Sequence, residues 1–120
     1  MLILIYLDMD AHHAGISFSK KENDWLNSIG LPDDKLHRQV LIKIGKMKFF
    51  VDGFDKNLNT IYEFYGDKWH GNPKIYNQED IDNVMKTSYK EVYAKTLIRE
   101  ELLKKAGYKI ITIWESEWRS

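Results

Sequence analysis

Acidic, imidazole and aromatic side chains are concentrated in one short stretch of this chain, YEFYGDKWHGNP, from Tyr62 to Pro73. The stretch contains Glu63, Asp67 and His70, although the whole chain has only four histidines. Carboxylates can hold a divalent cation, and an imidazole with an ordinary pKa of about 6.5 suits a general base near neutral pH. These residue types therefore indicate hydrolysis assisted by a metal ion.

Two carboxylates are expected to meet at one edge of a sheet. Asp52 ends the apparent strand MKFFVD, and Glu63 follows eleven residues later on what should be the neighbouring strand. A tight turn between these strands would bring the acids together, where their repulsion would raise one pKa and a divalent cation would relieve it. Magnesium is usually held by only one or two protein carboxylates. The sequence therefore predicts a Mg²⁺ site at Asp52 and Glu63, with Mn²⁺ able to substitute and His70 as the base.

Three further side chains could support this site, and each also has a structural interpretation. Glu22 can point inward from the first helix, but Ser19 to Glu22 also matches a capping box. Asp67 is either a catalytic group or the residue that starts the turn before His70. Trp69 can stack on a nucleic-acid base or pack in the protein. The residues alone leave these alternatives open.

The charge balance gives no overall positive field. Eighteen basic and eighteen acidic residues cancel, so any contact with the phosphates of DNA, the expected partner, must come from local patches. The candidate phosphate contacts are Lys43, Lys46, Lys48 and Arg99. The absence of cysteine excludes disulfides and thiolate metal sites and fits a reducing compartment, so we expect a cytoplasmic protein.

The first eighteen residues are expected to form a leader. MLILIYLD is apolar for only seven residues and lacks a basic start and a small-residue cleavage site, so it matches neither a membrane span nor a signal peptide. We expect no membrane partner. Within residues 1–18, the apolar run could add an extra strand, and the polar DMDAHHAG could bind a metal or form a flexible loop.

The remaining residues predict one α/β domain, a mixed sheet flanked by helices. At 120 residues the chain can bury a single core. The predicted elements are a helix from Ser19 to Gly30, a hairpin of Gln39–Ile44 and Met47–Asp52, a strand at Thr60–Phe64, a long helical pattern from Asn77 to Gly107 that could break near Thr87 and Ser88, and a last strand at Tyr108–Trp114.

Four segments together resemble a known nuclease family. They are E-x-x-W-L-x-x-x-G at Glu22–Gly30, a strand ending in Asp52, G-x-x-W-H at Gly66–His70, and L-L-K-K-A-G-Y-K-I-I-T-I-W-E at Leu102–Glu115. In this order and spacing they resemble the very-short-patch repair (Vsr) endonucleases and the related phage EDxHD homing endonucleases. The resemblance covers about residues 19 to 117.

This resemblance implies a fold, an activity and a set of roles. It implies a restriction-endonuclease-like fold over residues 19–120, a compact form of the PD-(D/E)xK nuclease core. Its members cut or nick DNA with magnesium, so the implied protein is a phage or mobile-element nuclease in a bacterial or phage-infected cell. By the same resemblance Asp52 is the principal metal ligand, His70 the base and Glu22 the carboxylate that orients water. The sheet edge at Glu63, which lacks the E-x-K lysine of that superfamily, becomes the second metal position.

Other functions fit the same residues. A catalytically silent module that keeps the nuclease fold and binds nucleic acid or protein would account for the neutral charge and the missing lysine. An RNase or a junction-resolving enzyme would use the same site on another substrate. A homodimer or a targeting partner is expected if both strands are cut or if a larger DNA site is read. The chain contains no P-loop, GxSxG, HExxH or GxGxxG motif, which excludes the chemistry of those motifs.

Overall fold

The computed structural model describes residues 19–119. The leader predicted over residues 1–18, with its extra strand, therefore lies outside the described residues. The elements are helix α1 (Ser19–Ile29), strands β1 (Arg38–Ile44), β2 (Met47–Asp55) and β3 (Thr60–Tyr65), helix α2 (Tyr89–Lys105), strand β4 (Lys109–Trp114) and a 3₁₀ turn (Glu115–Glu117).

The four strands form one mixed sheet in the order β1-β2-β3-β4. β1, β2 and β3 are successive antiparallel neighbours, and β4 pairs parallel with β3 after the crossover through α2. Gly45 and Lys46 form the two-residue turn of the first hairpin, and Gly45 has a φ of 60°. A positive φ at the first central residue suits glycine and matches the twist of the flanking strands. The predicted hairpin is confirmed, and its second strand continues three residues beyond Asp52.

The two faces of the sheet are covered by different helices. On β3, Ile61 belongs to a core that includes Leu103 of α2, whereas Tyr62 and Phe64 pack with Trp25 of α1. Successive side chains of a strand point to opposite faces, so α1 and α2 lie on opposite sides of the sheet. This architecture agrees with the predicted α/β fold of a mixed sheet between helices.

The predicted start of the long helix at Asn77 is wrong, because α2 begins only at Tyr89, directly after the break that the sequence allowed near Thr87 and Ser88. Buried Asp82 accepts hydrogen bonds from the backbone N–H groups of Val84 and Met85, both at 2.8 Å, and from the hydroxyl of Tyr89 at 2.9 Å. An aspartate that captures nearby backbone donors competes with the helix for them. The helix then starts at the cap Ser88, whose side chain accepts from the Glu91 N–H.

Membrane insertion has no support in the described part of the chain. No helix within residues 19–119 combines the length and the apolar character that crossing a bilayer requires.

Candidate active site

Two carboxylates fill a gap between β2 and β3. The backbone pairing of these strands covers only Gly53–Asp55 with Thr60–Tyr62. Beyond it, the Asp52 N–H donates to Oε2 of Glu63 at 3.3 Å, and the Phe64 N–H donates to Oδ2 of Asp52 at 2.7 Å. Buried backbone donors need partners. Here the two carboxylates accept the hydrogen bonds that backbone carbonyls of the neighbouring strand would otherwise accept. The structure therefore brings Asp52 and Glu63 together, but between the two central strands and not at the predicted edge of the sheet.

The strands change face at this point, which directs Asp52 into the gap. Val51 packs in the core against α2, whereas Gly53 faces α1, where an added Cβ would lie 2.7 Å from Leu31. In a regular strand these two residues would share a face, so the alternation breaks at Asp52. Opposite it on β1, Gln39 has a φ of 52°, a conformation that costs energy for a residue with a side chain.

Helix α1 contributes a third acid to the gap. Glu22 is buried, accepts a hydrogen bond from Nε2 of Gln39 at 2.9 Å and lies within hydrogen-bonding reach of Asp52. Burial raises the pKa of Glu22 to about 7; the Gln39 bond opposes that rise and the charge of Glu63 adds to it. Burial also raises the pKa of Asp52 well above its ordinary value, and the charges of Glu63 and Glu22 raise it further. The two acids therefore favour a proton or a cation between them.

Arg99, from α2, is hydrogen-bonded to this cluster. Its Nε and Nη2 donate to Oε1 of Glu63 at 3.0 and 2.6 Å, and Nη2 also donates to the carbonyl of Phe50 at 2.6 Å. The side chain is buried, at 4% exposure. The sequence predicted Arg99 as a phosphate contact, but its position inside the cluster gives it a different first partner. It compensates the charge of Glu63 and joins that acid to β2.

His70 is held against α2, and its ring contacts Tyr65, which lies two residues after Glu63 on β3. Its ring packs on Tyr65 with centroids 4.5 Å apart, and Nδ1 lies 2.9 Å from Oγ1 of Thr96. The Thr96 hydroxyl donates to the carbonyl of Val92 at 3.3 Å, one helical turn earlier. When the hydroxyl donates to Val92, its oxygen accepts from Nδ1 of His70, and Nε2 carries the lone pair of the neutral ring. Nε2 is the nitrogen that can act as a base.

The loop that carries His70 fits tightly against the first turn of α2. Gly71 has a φ of 64°, and a Cβ at this position would lie 2.5 Å from the carbonyl oxygen of Tyr89 and 3.0 Å from the nitrogen of Tyr93. Both neighbours are backbone atoms that cannot turn aside. Only glycine lets the chain pass so close to the helix, and the close approach places the preceding imidazole against α2.

Asp67 organises the same loop. Its Oδ1 accepts from Nδ2 of Asn72 at 2.8 Å and from Oγ of Ser116 at 3.0 Å, and its N–H donates to Glu115 at 3.4 Å. These bonds connect the loop to the 3₁₀ turn after β4. They correspond to the structural interpretation of Asp67, whose carboxylate is occupied by protein donors.

The remaining predicted contacts lie outside the cluster. Lys43, Lys46 and Lys48 are exposed on the β1–β2 hairpin. Trp69 is half-buried, and Nζ of Lys68 lies 5.6 Å from the centroid of its ring. Trp69 thus already has a cationic neighbour within the range of a cation–π contact.

The donor set of the gap suits a magnesium ion with few protein ligands. Within residues 19–119 no group of three or more acidic, histidine or cysteine side chains is arranged to hold a metal ion. A pair of carboxylates is enough for magnesium, which keeps most of its water. Glu22 and Asp52 form such a pair, buried and close enough to repel, whereas both oxygens of Glu63 already accept from Arg99 and from the Asp52 N–H.

The raised pKa of Glu22 predicts how stability depends on pH. Because the folded-state pKa of about 7 exceeds the ordinary value of 4.5, the folded protein holds the proton more tightly than the unfolded chain. The stabilisation is complete below the ordinary value and is lost as the pH rises through 7. We expect the free energy of unfolding, measured in chelator, to fall between about pH 5 and about pH 8, and Glu22→Gln to flatten this fall.

Urea titrations of the wild type and Glu22→Gln across that range provide the measurement. Glu101→Gln, a change of the same kind at an exposed position of α2, is the control and should keep the wild-type slope. A slope in Glu22→Gln as steep as in the wild type would contradict the assignment.

Two residues of this arrangement were not predicted. Gln39 holds Glu22, and Thr96 holds His70, yet both are ordinary polar residues 17 and 26 positions away from their partners. For Thr96 the sequence does carry a signal, because it lies three residues before Arg99 on one helix face.

Comparisons with protein-family models, with curated proteins and with solved structures found no match to this chain.

Proposed function

We propose that this protein is a magnesium-dependent DNA endonuclease or nickase. The observation that carries the proposal is the convergence of Glu22, Asp52 and Glu63, from a helix and two strands, in one buried gap where Arg99 is paired with Glu63. Buried like charges are unfavourable unless a proton or a cation compensates them. The backbone hydrogen bonds of Asp52 and Glu63 account for those two acids, but they give no reason for Glu22 to be buried beside them.

A restriction-endonuclease-like fold is part of this proposal. It is supported by the order of helix, three antiparallel strands, helix and parallel strand, with α1 and α2 on opposite sides of the sheet. It is also supported by the position of the acids where β2 and β3 separate. The resemblance to Vsr and EDxHD nucleases rests on the same elements.

The side chains divide the chemistry among them. Glu22 and Asp52 would hold Mg²⁺, which would neutralise the charge that develops on the phosphate. His70 would take a proton from the attacking water at Nε2 as the new P–O bond forms and the old one breaks. Arg99 supplies a fixed positive charge in a site that lacks the E-x-K lysine. It also keeps Glu63 from competing for the metal.

A nicking assay tests the proposal. Supercoiled plasmid is incubated with purified protein in Mg²⁺, Mn²⁺ or chelator, and the loss of supercoiled DNA is followed on gels. We expect nicking with either metal and none in chelator, and a decrease of about 10²- to 10⁴-fold in His70→Ala, as for loss of a general base. Metal-independent nicking, or full activity of His70→Ala, would contradict the assigned chemistry. Inactivity on plasmid, branched DNA, single strands and RNA would favour the silent binding module.

Thr96 provides a matched pair of variants for the base. Thr96→Val removes the oxygen that accepts from His70 and should lower the rate about tenfold, the value of one hydrogen bond. The pH–rate profile should change with it, because the ring can then adopt the other tautomer. Thr96→Ser keeps the hydroxyl and should keep both the rate and the profile. Equal rates for the two variants would remove Thr96 from the site.

A further inference from the structure

The outer face of the β1–β2 hairpin is an uncovered surface with a distinct composition. Leu41 pairs with Phe50, and Lys43 pairs with Lys48, so these four side chains share one face of the two strands. The residues between them, such as Ile42 and Phe49, are buried in the core. Leu41 and Phe50 are 38% and 48% exposed, and both lysines are exposed. We call these four side chains the hairpin face.

The positive charge of this surface favours an anionic partner. Residues 39–50 contain three lysines and no acid, in a chain whose net charge is zero. Lys43 and Lys48 are direct cross-strand neighbours, an arrangement of like charges that destabilises a hairpin. Neither lysine, nor Lys46 in the turn, takes part in an ion pair within the described residues. A second copy docked through the same face would set lysines against lysines.

The aromatic residue narrows the class of anion. Phe50 presents a flat apolar ring beside two cations, and the phosphates and bases of a nucleic acid match that combination. The bases of a duplex are stacked on one another, so an aromatic ring on a sheet face can stack only on an unpaired base. A strand surface with lysines for phosphates and a ring for a base is typical of single-strand binding.

The hairpin face is connected to the candidate active site through β2. Phe50 precedes Asp52 by two residues, about 7 Å along a strand. The carbonyl of Phe50 accepts from Arg99, which also holds Glu63. Arg99 therefore links the backbone of Phe50 to the carboxylate cluster by hydrogen bonds.

From this placement we propose that the hairpin face binds an unpaired stretch of DNA beside the scissile phosphate. This inference rests on the proposed nuclease function and adds the substrate class: DNA that is single-stranded next to the cut, such as a flap or a junction between single and double strands. Lys43 and Lys48 contact its phosphates, and Phe50 stacks on one of its bases.

Binding in chelator tests this inference separately from cleavage. Fluorescence anisotropy is measured with a labelled single strand, the matching duplex, and a duplex that carries a single-stranded flap. Binding to the single strand and the flap should be at least about tenfold tighter than to the duplex. Phe50→Ala should weaken the first two by about 5- to 100-fold, the value of one base stacked on an aromatic ring. The double variant Lys43→Ser/Lys48→Ser should reduce the slope of log K against log salt by about 1.4.

Matched controls lie outside the hairpin face. Leu58→Ala removes an exposed apolar side chain from a turn, and Lys90→Ser/Lys105→Ser removes two exposed lysines from α2. Both should bind as the wild type does. Circular dichroism checks that every variant is folded. We expect all of them to fold, because the altered residues are exposed.

Several outcomes would overturn the inference. They are a preference for the duplex, equal affinity of Phe50→Ala and Leu58→Ala, or loss of a dimer in the hairpin variants without a change in DNA affinity. The last result would assign the face to a second copy. Plasmid nicking with unaltered single-strand binding in both hairpin variants would refute the inference alone. Hairpin-dependent binding without cleavage in any metal would refute the nuclease and keep the binding surface.

Discussion

Asp52→Asn is expected to reduce magnesium-dependent nicking by at least about a hundredfold, the loss of a metal ligand, without reducing stability. Asparagine keeps an oxygen that can accept from the Phe64 N–H, so the gap between β2 and β3 stays closed. It removes an acid whose burial, together with the charges of Glu63 and Glu22, disfavours its ionised form. In chelator at about pH 8 the Tm should therefore equal or exceed that of the wild type.

Initial rates of plasmid nicking and thermal unfolding in chelator give the two measurements. Asp24→Asn on α1 is the control, because Asp24 is partly exposed and its ion pair with Lys20 is at the surface. It should change neither quantity. If Asp52→Asn cleaves DNA normally, Asp52 does not hold the metal. If it loses stability as well as activity, its carboxylate is a structural group and the proposed conflict between stability and function is absent.

Arg99→Met is expected to produce the largest loss of stability, about 3–5 kcal/mol. The change keeps most of the apolar stem but removes the guanidinium that holds the buried Glu63 and the Phe50 carbonyl. An unpaired carboxylate would remain among two other acids. The loss should be smallest at low pH, where Glu22 and Asp52, whose pKa values are raised, carry protons and do not repel Glu63, and it should grow as the pH rises.

Urea unfolding at about pH 5 and about pH 8 measures this effect. The double variant Arg99→Met/Glu63→Gln removes the charge that Arg99→Met leaves unpaired and should recover most of the stability. Lys104→Met, also on α2, is the control, because its contact with Glu100 is 3.9 Å long and exposed, so the expected loss is below about 0.5 kcal/mol. A double variant as unstable as Arg99→Met would mean that the guanidinium acts through packing.

The parts of the fold with strong local signals could be predicted from the sequence. Gly45 and Lys46 between two apolar runs predicted the first hairpin, and the β-rich run at Thr60 predicted β3. The start of the long helix was predicted wrongly because Asp82 accepts hydrogen bonds from backbone donors of its own loop. Its carboxylate also accepts a hydrogen bond from the hydroxyl of Tyr89, which a local pattern does not reveal. Helical periodicity describes side chains and is silent about such competition for backbone hydrogen bonds.

The candidate site was predictable to the extent that Asp52 and Glu63 lie on neighbouring strands of the sheet. Asp52 and Glu63 could be brought together on paper because an antiparallel turn separates them. The partner of Glu63 could not, because Arg99 lies 36 residues away and a lone arginine on a polar helix looks like a solvated charge. The positive φ of Gln39 could not be predicted either, because the residues around it carry no turn signal that indicates one.

The three-residue separation of Thr96 and Arg99 on α2 has a consequence for the imidazole and the arginine. Both side chains extend from the same side of the helix, with an axial offset of about 4.5 Å. The helix therefore fixes the position of Thr96 relative to that of Arg99. Inserting or deleting one residue between them would swing one group by about 100° around the helix. Many substitutions on the solvent side of this helix should therefore be tolerated. A change in its length between these two positions would separate the contact of Thr96 with His70 from the contact of Arg99 with Glu63.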